Sequence, residues 1–281
     1  MTVKIERAVL ESLLTMASFV EARDAYTGGH AWRVSQYGKL LAEELGLDKD
    51  DVFVVRLGGL VHDLGKVGIS DTVLNKMGPL TDNEFALMHQ HPEAGLAALG
   101  EHPLIPVVRE AILEHHERYD GGGYPTRQRG ASLTVIGRIL GVADAFDAMT
   151  STRPYRAGMT GEQALAIVTQ EAGQQFDPSV AEAMNSLFKK GSLLHVLGHA
   201  SDEHLMLDCP VCGPVIAPPE DAGDGGDTVC PSCRGRFTMH RRGDTFDLEL
   251  QEVTTSLYMP QPDRRAVSSI LAALPAHQLK I

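Results

Sequence analysis

Apolar side chains recur at helical spacing through the first two thirds of the chain, which predicts a series of amphipathic helices. A T-x-x-E capping box at 81–84 and an Asp-Pro N-cap at 177–178 mark two of the helix starts. The predicted helices cover 8–20, 33–47, 48–63, a segment that begins at 81, 107–116, 133–150, 161–171 and 177–187. Strand-like alternation of apolar and polar residues is not seen over this region. We therefore predict a mainly α fold class up to about residue 190.

The pattern changes after residue 205, where Gly, Pro, Asp and Cys dominate. Alternating apolar and polar positions at 236–239 and 245–250, joined by Arg242-Gly243-Asp244, predict a β-hairpin. One further amphipathic helix pattern covers 263–274. We therefore predict a helical domain over 1–192, a connector over 193–204, a small β module over 205–255 and a helical tail over 256–281.

Composition narrows the possible classes of protein. The 281 residues are 43% hydrophobic and 22% charged, as expected for a globular protein with an apolar core. The formal net charge of −12 argues against broad electrostatic binding to nucleic acid or to an anionic membrane. Acidic residues interrupt the apolar stretches near the N-terminus, and neither a membrane-spanning run nor a signal-peptide pattern is visible. The sequence predicts a cytoplasmic protein.

All four cysteines lie in two CxxC pairs separated by seventeen residues: Cys209, Cys212, Cys230 and Cys233. This spacing predicts one tetrahedral four-thiolate zinc site, and the alternatives are a redox dithiol or free thiols. A closed four-thiolate site is structural, because it keeps no open position for a substrate. A module this small requires its metal to fold.

Charged residues of both signs surround the cysteines. Acidic residues flank the pairs at Glu220, Asp221, Asp224 and Asp227, and a basic patch lies at Arg234, Arg236, Arg241 and Arg242. This mixture favours contact with a protein partner, or self-association through the module, over nucleic-acid binding.

Histidines and aspartates recur at or near the predicted helix ends: His30, His62, Asp63, His91, His115, His116 and Asp144. The pair His62-Asp63 alone would also fit a buried histidine at a helix terminus. Seven such groups exceed one tetrahedral site and suit two five- or six-coordinate ions, with Asp63 as the natural bridge. Two metals about 4 Å apart can hold a phosphodiester for in-line displacement. His89 is excluded from the set. If it lies two residues before His91 on the same helix, its side chain points to nearly the opposite face.

Two motifs then resemble a known family, the HD-GYP subfamily of HD-domain phosphohydrolases. They are His62-Asp63-x-x-Lys66 and the segment 115–125, His115-His116-Glu117-x-x-Asp120-Gly121-x-Gly123-Tyr124-Pro125. Supporting matches lie at 23–30, His91-Pro92-x-x-Gly95, 142–148 and 153–156, in the order that the family shows. The resemblance covers roughly residues 8–190. It implies an HD-domain helical bundle over 1–192, which the predicted small β zinc-ribbon follows.

The resemblance implies metal-dependent hydrolysis of cyclic di-GMP to linear pGpG, and in some members onward to GMP. One metal would be held by His30, His62, Asp63 and Asp144, and the second by Asp63, His91, His115 and His116. A hydroxide that bridges the metals would attack phosphorus. Asp63 and Lys66 would be the catalytic residues, and Lys66 would stabilise the charge of the phosphate.

Substrate contacts also follow from the resemblance. Gly123 and Tyr124 would line the guanine and sugar site, Asp24 and Lys66 would contact the substrate, and Arg153 and Arg156 would contact phosphate or guanine. Asp147, at i+3 from Asp144, would either orient a ligand or Lys66 or belong to a solvated face.

One position departs from the family. Some members hold a third metal through a glutamate four residues before the first histidine, where this chain has Tyr26. We therefore predict two ions, with iron or manganese favoured, and pGpG as the product. The alternatives are another cyclic dinucleotide as substrate, or a non-catalytic adaptor that binds the nucleotide and signals through the zinc-ribbon.

Overall fold

The computed structural model describes residues 2–3, 5–24, 29–76, 78–152, 157–200, 205–213, 215–218, 222–254, 264–273 and 279–280. As predicted, the described chain is mainly helical up to residue 190 and short strands follow. The α-helices are α1 (Arg7–Arg23), α2 (His30–Glu44), α3 (Lys49–Val61), α4 (Asp71–Leu74), α5 (Asp82–Met88), α6 (His91–Leu99), α7 (Ile105–Glu114), α8 (Val135–Thr150), α9 (Gly161–Gln170), α10 (Pro178–Lys189) and α11 (Arg264–Ala272). Two 3-10 helices cover Leu64–Gly68 and Gly130–Ser132.

Local capping signals placed several helix starts correctly. The Thr81 side chain accepts from the backbone N–H of Glu84, whose carboxylate accepts from the N–H of Thr81, so the capping box at α5 is confirmed. Asp177 caps α10 through the N–H of Ser179, with Pro178 in the first turn. These starts were predictable because capping joins residues two or three positions apart.

Several helix boundaries differ from the predictions, and two helices were not predicted. α2 begins at His30 rather than residue 33, since Gly29 precedes it in the left-handed conformation at φ 71°. α7 ends at Glu114, so both following histidines lie beyond the helix. The short α4 and the whole of α6 were not predicted, although Pro92 in the first turn of α6 is a helix-start signal.

The core of the helical part lies between α2, α3, α7 and α8. Tyr37 of α2 and Phe146 of α8 meet edge to face with ring centroids 5.4 Å apart, and both are fully buried. α1 and α11 pack beside this core, and Ile270 and Leu271 of α11 are buried in it. Each large apolar side chain buried in this way stabilises the fold by about 1.5–3 kcal/mol.

Gly65 allows an unusually close approach between the Leu64–Gly68 helix and α6. A Cβ atom built on Gly65 would lie 1.6 Å from the carbonyl oxygen of His91 and 2.5 Å from the nitrogen of Gly95. Only glycine therefore fits at this crossing. The crossing brings Asp63 beside the start of α6.

The strands of the C-terminal part are β2 (Leu207–Asp208), β3 (Val215–Ile216), β4 (Asp227–Val229), β5 (Gly235–Arg242) and β6 (Thr245–Val253). β2 pairs with β3, and an antiparallel sheet has the order β4-β5-β6. The predicted hairpin is confirmed, with Gly243 at φ 62° in its turn. A small separate core contains Leu207, Ile216, Phe237, Met239 and Phe246 together with Cys209 and Cys230. This sheet and its four cysteines resemble a zinc-ribbon.

Besides the packing of α11, the described residues show further contacts between the part of the chain after α10 and the part before it. The buried Arg33 side chain donates to the carbonyl oxygen of His199, and the outer strands β1 (Thr2–Val3) and β7 (Leu279–Lys280) pair antiparallel. The boundaries proposed at 193, 205 and 256 stay predictions. Among the described residues, none of the helices has the length and apolar character needed to cross a membrane.

Candidate metal centre

Six of the seven predicted ligands lie at helix ends that converge on one point. His30 is the first residue of α2 and His91 the first of α6, while His62, Asp63, His115 and His116 directly follow α3 and α7. Asp144 projects from the middle of α8. The helix ends supply these ligands because a chain that leaves a helix is free to turn its side chains towards a common centre.

The first group of ligand atoms belongs to His30, His62 and Asp144. The Nε2 atom of His30 lies 3.3 Å from Nε2 of His62 and 3.4 Å from Oδ1 of Asp144. All three ligand atoms lie within 4.8 Å of one another, as the donors of one metal ion do. Metal–nitrogen and metal–oxygen bonds of about 2.0–2.2 Å fit this spacing.

The second group belongs to His91, His115 and His116. The Nε2 atoms of His91 and His115 are 3.1 Å apart, and a ligand atom of His116 lies within 4.8 Å of both. His116 is also linked to the first group, because its Nδ1 lies 3.8 Å from Oδ2 of Asp144. The two groups are therefore adjacent.

Asp63 stands between the groups and presents one carboxylate oxygen to each. Its Oδ2 lies 3.3 Å from Nε2 of His62 and 3.6 Å from Nε2 of His30. Its Oδ1 lies 3.5 Å from Nε2 of His91. This is the orientation of a carboxylate that bridges two ions.

A hydrogen bond at Nδ1 holds each of four histidine rings. Nδ1 of His62, His91 and His115 lies 2.8–3.1 Å from the carbonyl oxygens of Gly59, Met88 and Ala111, respectively. Nδ1 of His30 lies 2.8 Å from Oδ2 of Asp147. An Nδ1–H that donates to these oxygens leaves Nε2 unprotonated and directed at the centre, as metal-binding histidines require. The donor set fits two divalent cations.

Asp147 proves to be an orienting residue rather than part of a solvated face. Its side chain is 1% exposed and lies between His30 and the buried guanidinium of Arg33. Nε of Arg33 donates to Oδ1 of Asp147 at 2.5 Å, and its NH2 donates to Oδ2 at 3.1 Å. The role of Arg33 was missed because nothing in the local sequence distinguishes it from an exposed helical arginine.

Burial and neighbouring carboxylates shift the pKa values of the histidines in opposite directions. Burial lowers the pKa of His91, His115 and His116, which favours the neutral imidazole that binds metals. Burial also opposes protonation of His30, but its bonds to Asp147 and Asp63 outweigh this effect and raise its pKa to about 10. Carboxylates that stabilise an imidazolium here would also stabilise a metal cation.

Lys66 lies against Asp63. Its Nζ donates to Oδ2 of Asp63 at 2.8 Å and to Oδ2 of Asp24 at 2.9 Å. Burial alone would lower the pKa of Lys66, but the two carboxylates outweigh burial and raise it. Burial would likewise raise the pKa of Asp63, while Lys66 and His62 hold it well below its usual range. Lys66 therefore supplies a fixed positive charge beside the centre.

A cleft opens from the second ligand group. It is lined by His89, His115, His116, Glu117, Arg118, Gly122, Gly123, Tyr124, Gly141, Asp144, Ala145, Gln175 and Phe176. Gly123 lets the 117–127 loop fold back, since a Cβ there would meet backbone atoms of Glu117 and Arg118 at 2.4–2.5 Å. Glu117 closes the loop by accepting from the N–H groups of Thr126 and Arg127. The loop thus carries Tyr124 beside the metal ligands.

The exclusion of His89 from the ligand set agrees with the two ligand groups, but the reason given for it was wrong. His89 ends α5 and His91 begins α6, so the two residues do not share a helix. The His89 ring stacks on Tyr124 with centroids 3.8 Å apart and planes inclined by 20°. His89 is therefore on the cleft side, although it belongs to neither ligand group. Pro92, which marks a new helix start, was the signal that could have corrected the argument.

The four cysteines form a separate cluster. Sγ of Cys209 lies 3.6 Å from Sγ of both Cys212 and Cys233, and Sγ of Cys212 lies 3.5 Å from Sγ of Cys230. These distances are far longer than a disulfide bond of about 2.05 Å. They fit four thiolates around one tetrahedral zinc, with zinc–sulfur bonds of about 2.3 Å.

Some predicted residues lie outside the described part of the chain. They are Tyr26, Arg153 and Arg156 of the helical part, and Glu220 and Asp221 of the acidic flank. Of the basic patch, Arg236 and Arg242 lie 3.7 Å and 3.3 Å from Glu252 and Asp247, so these two charges are offset by acidic neighbours.

Comparison with known proteins identifies the family. The sequence profile of the HD domain matches residues 15–180, which is more than half of the chain. The chain belongs to the HD-domain family. It is 38% identical over 183 residues to the cyclic di-GMP phosphodiesterase response regulator RpfG of Xanthomonas campestris, an alignment that covers 64% of this chain and 48% of RpfG. It is 36% identical over 176 residues to the 3'3'-cGAMP-specific phosphodiesterase 2 of Vibrio cholerae, which covers 62% of this chain and 34% of that protein.

Solved structures support the same fold. The HDG"Y"P protein Bd1817 of Bdellovibrio bacteriovorus superposes with a TM-score of 0.50 at 21% identity, covering 59% of this chain and 53% of Bd1817. With the motifs at 62–66 and 115–125, these matches confirm the resemblance to the HD-GYP subfamily. The chain spans about half the length of RpfG. It spans a smaller share of two other curated relatives that it matches.

Proposed function

We propose that this HD-domain protein is a metal-dependent phosphodiesterase that hydrolyses cyclic di-GMP to linear pGpG. The observation that carries the proposal is the carboxylate of Asp63, whose two oxygens face two different groups of histidines. Relatives described as cyclic di-GMP phosphodiesterases, 34–39% identical to this chain, support the same class of substrate.

Two ions would occupy the centre. His30, His62, Asp63 and Asp144 would hold the first, and Asp63, His91, His115 and His116 would hold the second. Such ions activate water near neutral pH and neutralise the oxygens of a phosphodiester. The mixture of imidazoles and a shared carboxylate favours iron or manganese over zinc, which prefers four-coordinate sites.

Residues of the chain would supply the rest of the chemistry. Asp147 fixes the ring of His30, so that its Nε2 lone pair stays directed at the centre. The Lys66 ammonium, fixed between Asp24 and Asp63, would stabilise the negative charge that develops on the phosphate oxygens. Because this charge is preorganised by two carboxylates, it does not reorient during the reaction.

The substrate would extend from the centre along the cleft. Gly123 and Tyr124 would contact a guanine and its sugar, with Asp24 at the outer edge of the site and Arg153 and Arg156 on phosphate or guanine. Tyr26 takes the place of the glutamate that binds a third ion in some relatives, which supports two ions and pGpG as the product.

The cysteine cluster would hold one structural zinc and support contact with a protein partner or a second copy. Nucleic acid is disfavoured because the net charge is −12 and because Arg236 and Arg242 on the hairpin have acidic neighbours.

A second candidate changes only the substrate. Three relatives from Vibrio cholerae are described as 3'3'-cGAMP-specific phosphodiesterases, at 34–36% identity. Hydrolysis of another cyclic dinucleotide at the same centre is therefore the alternative, and a non-catalytic nucleotide-binding adaptor is the third possibility.

Purified protein loaded with manganese or ferrous iron should convert cyclic di-GMP to pGpG. The double variant His62→Ala with Asp63→Ala should lose this activity while keeping the zinc of the cysteine cluster. Tight binding without turnover in the natural protein would favour the adaptor, and activity that survives the double change would show that the assigned centre is wrong.

Metal analysis after anaerobic purification tests the number of ions separately. Two non-zinc ions per chain and one zinc are expected, because the helical part offers two adjacent ligand groups and the cysteines a third cluster. Three ions in the helical part would contradict the interpretation of Tyr26.

A further inference from the structure

The buried guanidinium of Arg33 lies between the helical part and the chain that follows it. On one side, Nε and NH2 of Arg33 donate to the carboxylate of Asp147, whose Oδ2 lies 2.8 Å from Nδ1 of His30. On the other side, NH1 of Arg33 donates to the carbonyl oxygen of His199 and to Sδ of Met206, both at 2.9 Å. One side chain therefore contacts both the residue that orients a predicted metal ligand and the connector that leads to the cysteines.

A guanidinium transmits a shift from one of its edges to the other because it is planar and rigid. It carries five N–H groups in a fixed arrangement. Five bonds to described residues match this number, namely two to Asp147, one to Ser151 at 3.3 Å and the two to the connector. Arg33 is 1% exposed, so an N–H group that loses its acceptor there is costly. A shift of the connector would therefore move the guanidinium against Asp147.

The first part of the connector is fixed against the helical part. Val196 is fully buried in the main apolar core. The backbone of Ala200 lies against Gly29, the residue before His30, since a Cβ atom built on Gly29 would lie 2.7 Å from the carbonyl oxygen of Ala200. The connector thus contacts the turn that begins α2 as well as the side chain of Arg33.

Met206 lies where the connector passes into the cysteine module. Its N–H donates to the carbonyl oxygen of Gly198 at 2.8 Å, so the chain doubles back towards the helical part. Leu207 follows directly and is buried in the small core, and Cys209 lies three residues after Met206. The sulfur that contacts Arg33 is therefore joined to the cysteine core by a very short stretch of chain.

These connector residues lie beyond the HD domain. The match to the HD-domain profile ends at residue 180, whereas the predicted connector begins at residue 193. The series of contacts from the cysteine core to His30 is therefore a feature of this chain that membership of the family does not imply.

We propose that Met206 is a positioning residue that couples the cysteine module to the first group of metal ligands through Arg33 and Asp147. When the cysteines hold zinc and the small core is folded, Met206 is held against Arg33, and Nε2 of His30 stays directed at the centre. When the zinc is lost, Met206 leaves Arg33 and the first group binds its ion less tightly. The coupling rests on the proposed function, because it regulates the same metal centre, and it makes zinc occupancy the regulatory signal.

Titration calorimetry with manganese on the full, zinc-loaded chain measures the coupling without a nucleotide. Met206→Leu keeps most of the apolar volume of the side chain but removes the sulfur acceptor. The dissociation constant of one manganese ion should rise about fivefold, at the lower end of couplings between sites, while that of the other ion stays unchanged. The second ion is spared because carbonyl groups of α5 and α7 orient the rings of His91 and His115.

Met239→Leu is the matched control, because it makes the same change inside the small core of the cysteine module. It should bind both manganese ions as the natural protein does. An unchanged manganese affinity in Met206→Leu would overturn the proposal, even if urea titrations show a lower free energy of unfolding, since a purely structural methionine affects stability alone. Absence of manganese binding in the natural protein would overturn it as well.

Cys230→Ser tests the link to the cysteines. Loss of zinc should release Met206 and raise the same dissociation constant about fivefold. In the double variant with Met206→Leu, the rise should be no greater than in either single variant, because both changes break the same contact. Ser232→Ala is the control in the same loop and should leave manganese binding unchanged. Full manganese affinity in zinc-free Cys230→Ser would overturn the coupling.

Arg33→Lys tests the route of the coupling. An ammonium keeps a positive charge beside Asp147, but it lacks the fork with which a guanidinium contacts both sides at once. In the Arg33→Lys background, Met206→Leu should therefore cause no further loss of manganese affinity. Losses that multiply in the double variant would show that Met206 acts independently of Arg33 and would overturn the proposed route.

Turnover of cyclic di-GMP separates this coupling from the proposed function. If the manganese affinities change as described but no cyclic dinucleotide is hydrolysed, the coupling stands and the proposed function fails. If cyclic di-GMP is hydrolysed but Met206→Leu and Cys230→Ser bind manganese as the natural protein does, only the coupling fails.

Discussion

The described part of the chain contains two candidate metal-binding regions that are built in opposite ways. In the helical region the ligands come from five separate segments, between His30 and Asp144, and a large apolar core positions them. In the cysteine region all four ligands come from two short loops, and Cys209 and Cys230 are themselves part of a small core. The first region holds its ligands in place by packing, whereas we expect the small core of the second to depend on a bound ion.

This difference predicts functional metal binding in the helical region and structural metal binding in the cysteine region. In the helical region, carbonyl groups and Asp147 hold four of the histidine rings, so the chain itself orients these ligands. The four sulfurs of the cysteine region lie 3.5–3.6 Å from their neighbours, and four thiolates at this spacing would need a cation to offset their charges. Loss of metal should therefore abolish activity in one region and folding in the other.

The largest expected effect is in the cysteine region. Cys230→Ser should lose the zinc and unfold residues 205–254 while α1 to α10 stay folded. The reason is that a structural zinc contributes about 10–16 kcal/mol of folding free energy in small zinc modules. Zinc content, circular dichroism and limited proteolysis measure the result. Ser232→Ala in the same loop is the control, since its buried hydroxyl has no hydrogen-bond partner among the described residues. A protease-resistant module in Cys230→Ser would remove the distinction between the regions.

The next effect tests whether the helical centre is held by the protein itself. Asp147→Ala leaves the buried charge of Arg33 without its main partner and should lower the free energy of unfolding by about 3–5 kcal/mol in urea titrations.

Asp144→Ala is the matched comparison, because it removes a carboxylate of the same helix that does not contact Arg33 within the described structure. It should lose metal with a much smaller change in stability. Equal destabilisation of the two variants would show that Asp147 has no special role in the core.

A smaller effect concerns catalysis alone. Lys66→Met should reduce the turnover of cyclic di-GMP by about 10²–10³-fold, as removal of one transition-state hydrogen-bond donor does, without removing a metal ligand. Steady-state kinetics and metal analysis of the same sample measure both quantities. Lys76→Met, which breaks the partly exposed pair with Glu84, should leave turnover unchanged. Loss of the metals in Lys66→Met would assign Lys66 to metal retention instead.

The smallest effect is on the surface of the hairpin. Arg242→Ala removes an exposed pair with Asp247 and should change the free energy of unfolding of the zinc-loaded protein by less than about 1 kcal/mol. Thermal unfolding followed by circular dichroism is sufficient to measure it. A change of several kcal/mol would mean that the hairpin depends on its surface charges as well as on zinc.

Several correct predictions concern interactions between residues that are close in sequence. The capping box at Thr81, the N-cap at Asp177 and the hairpin at Gly243 each depend on neighbours within a few positions, so the sequence contains the whole interaction. The two CxxC pairs are similarly local, and they predicted the cysteine cluster. Errors occurred where a local signal was missed, as at Gly29 before His30 and at Pro92 after His91.

By itself, the sequence determined the fold class, the seven candidate ligands and the four cysteines, because these follow from residue type, spacing and motif order. Only the tertiary structure decided that Asp63 divides its oxygens between two histidine groups, that Gly65 brings it to His91, and that His89 stacks on Tyr124. The pairing of Asp147 with His30 and Arg33 joins residues more than a hundred positions apart. Such contacts depend on how whole helices cross, which the spacing of residues along one chain segment does not specify.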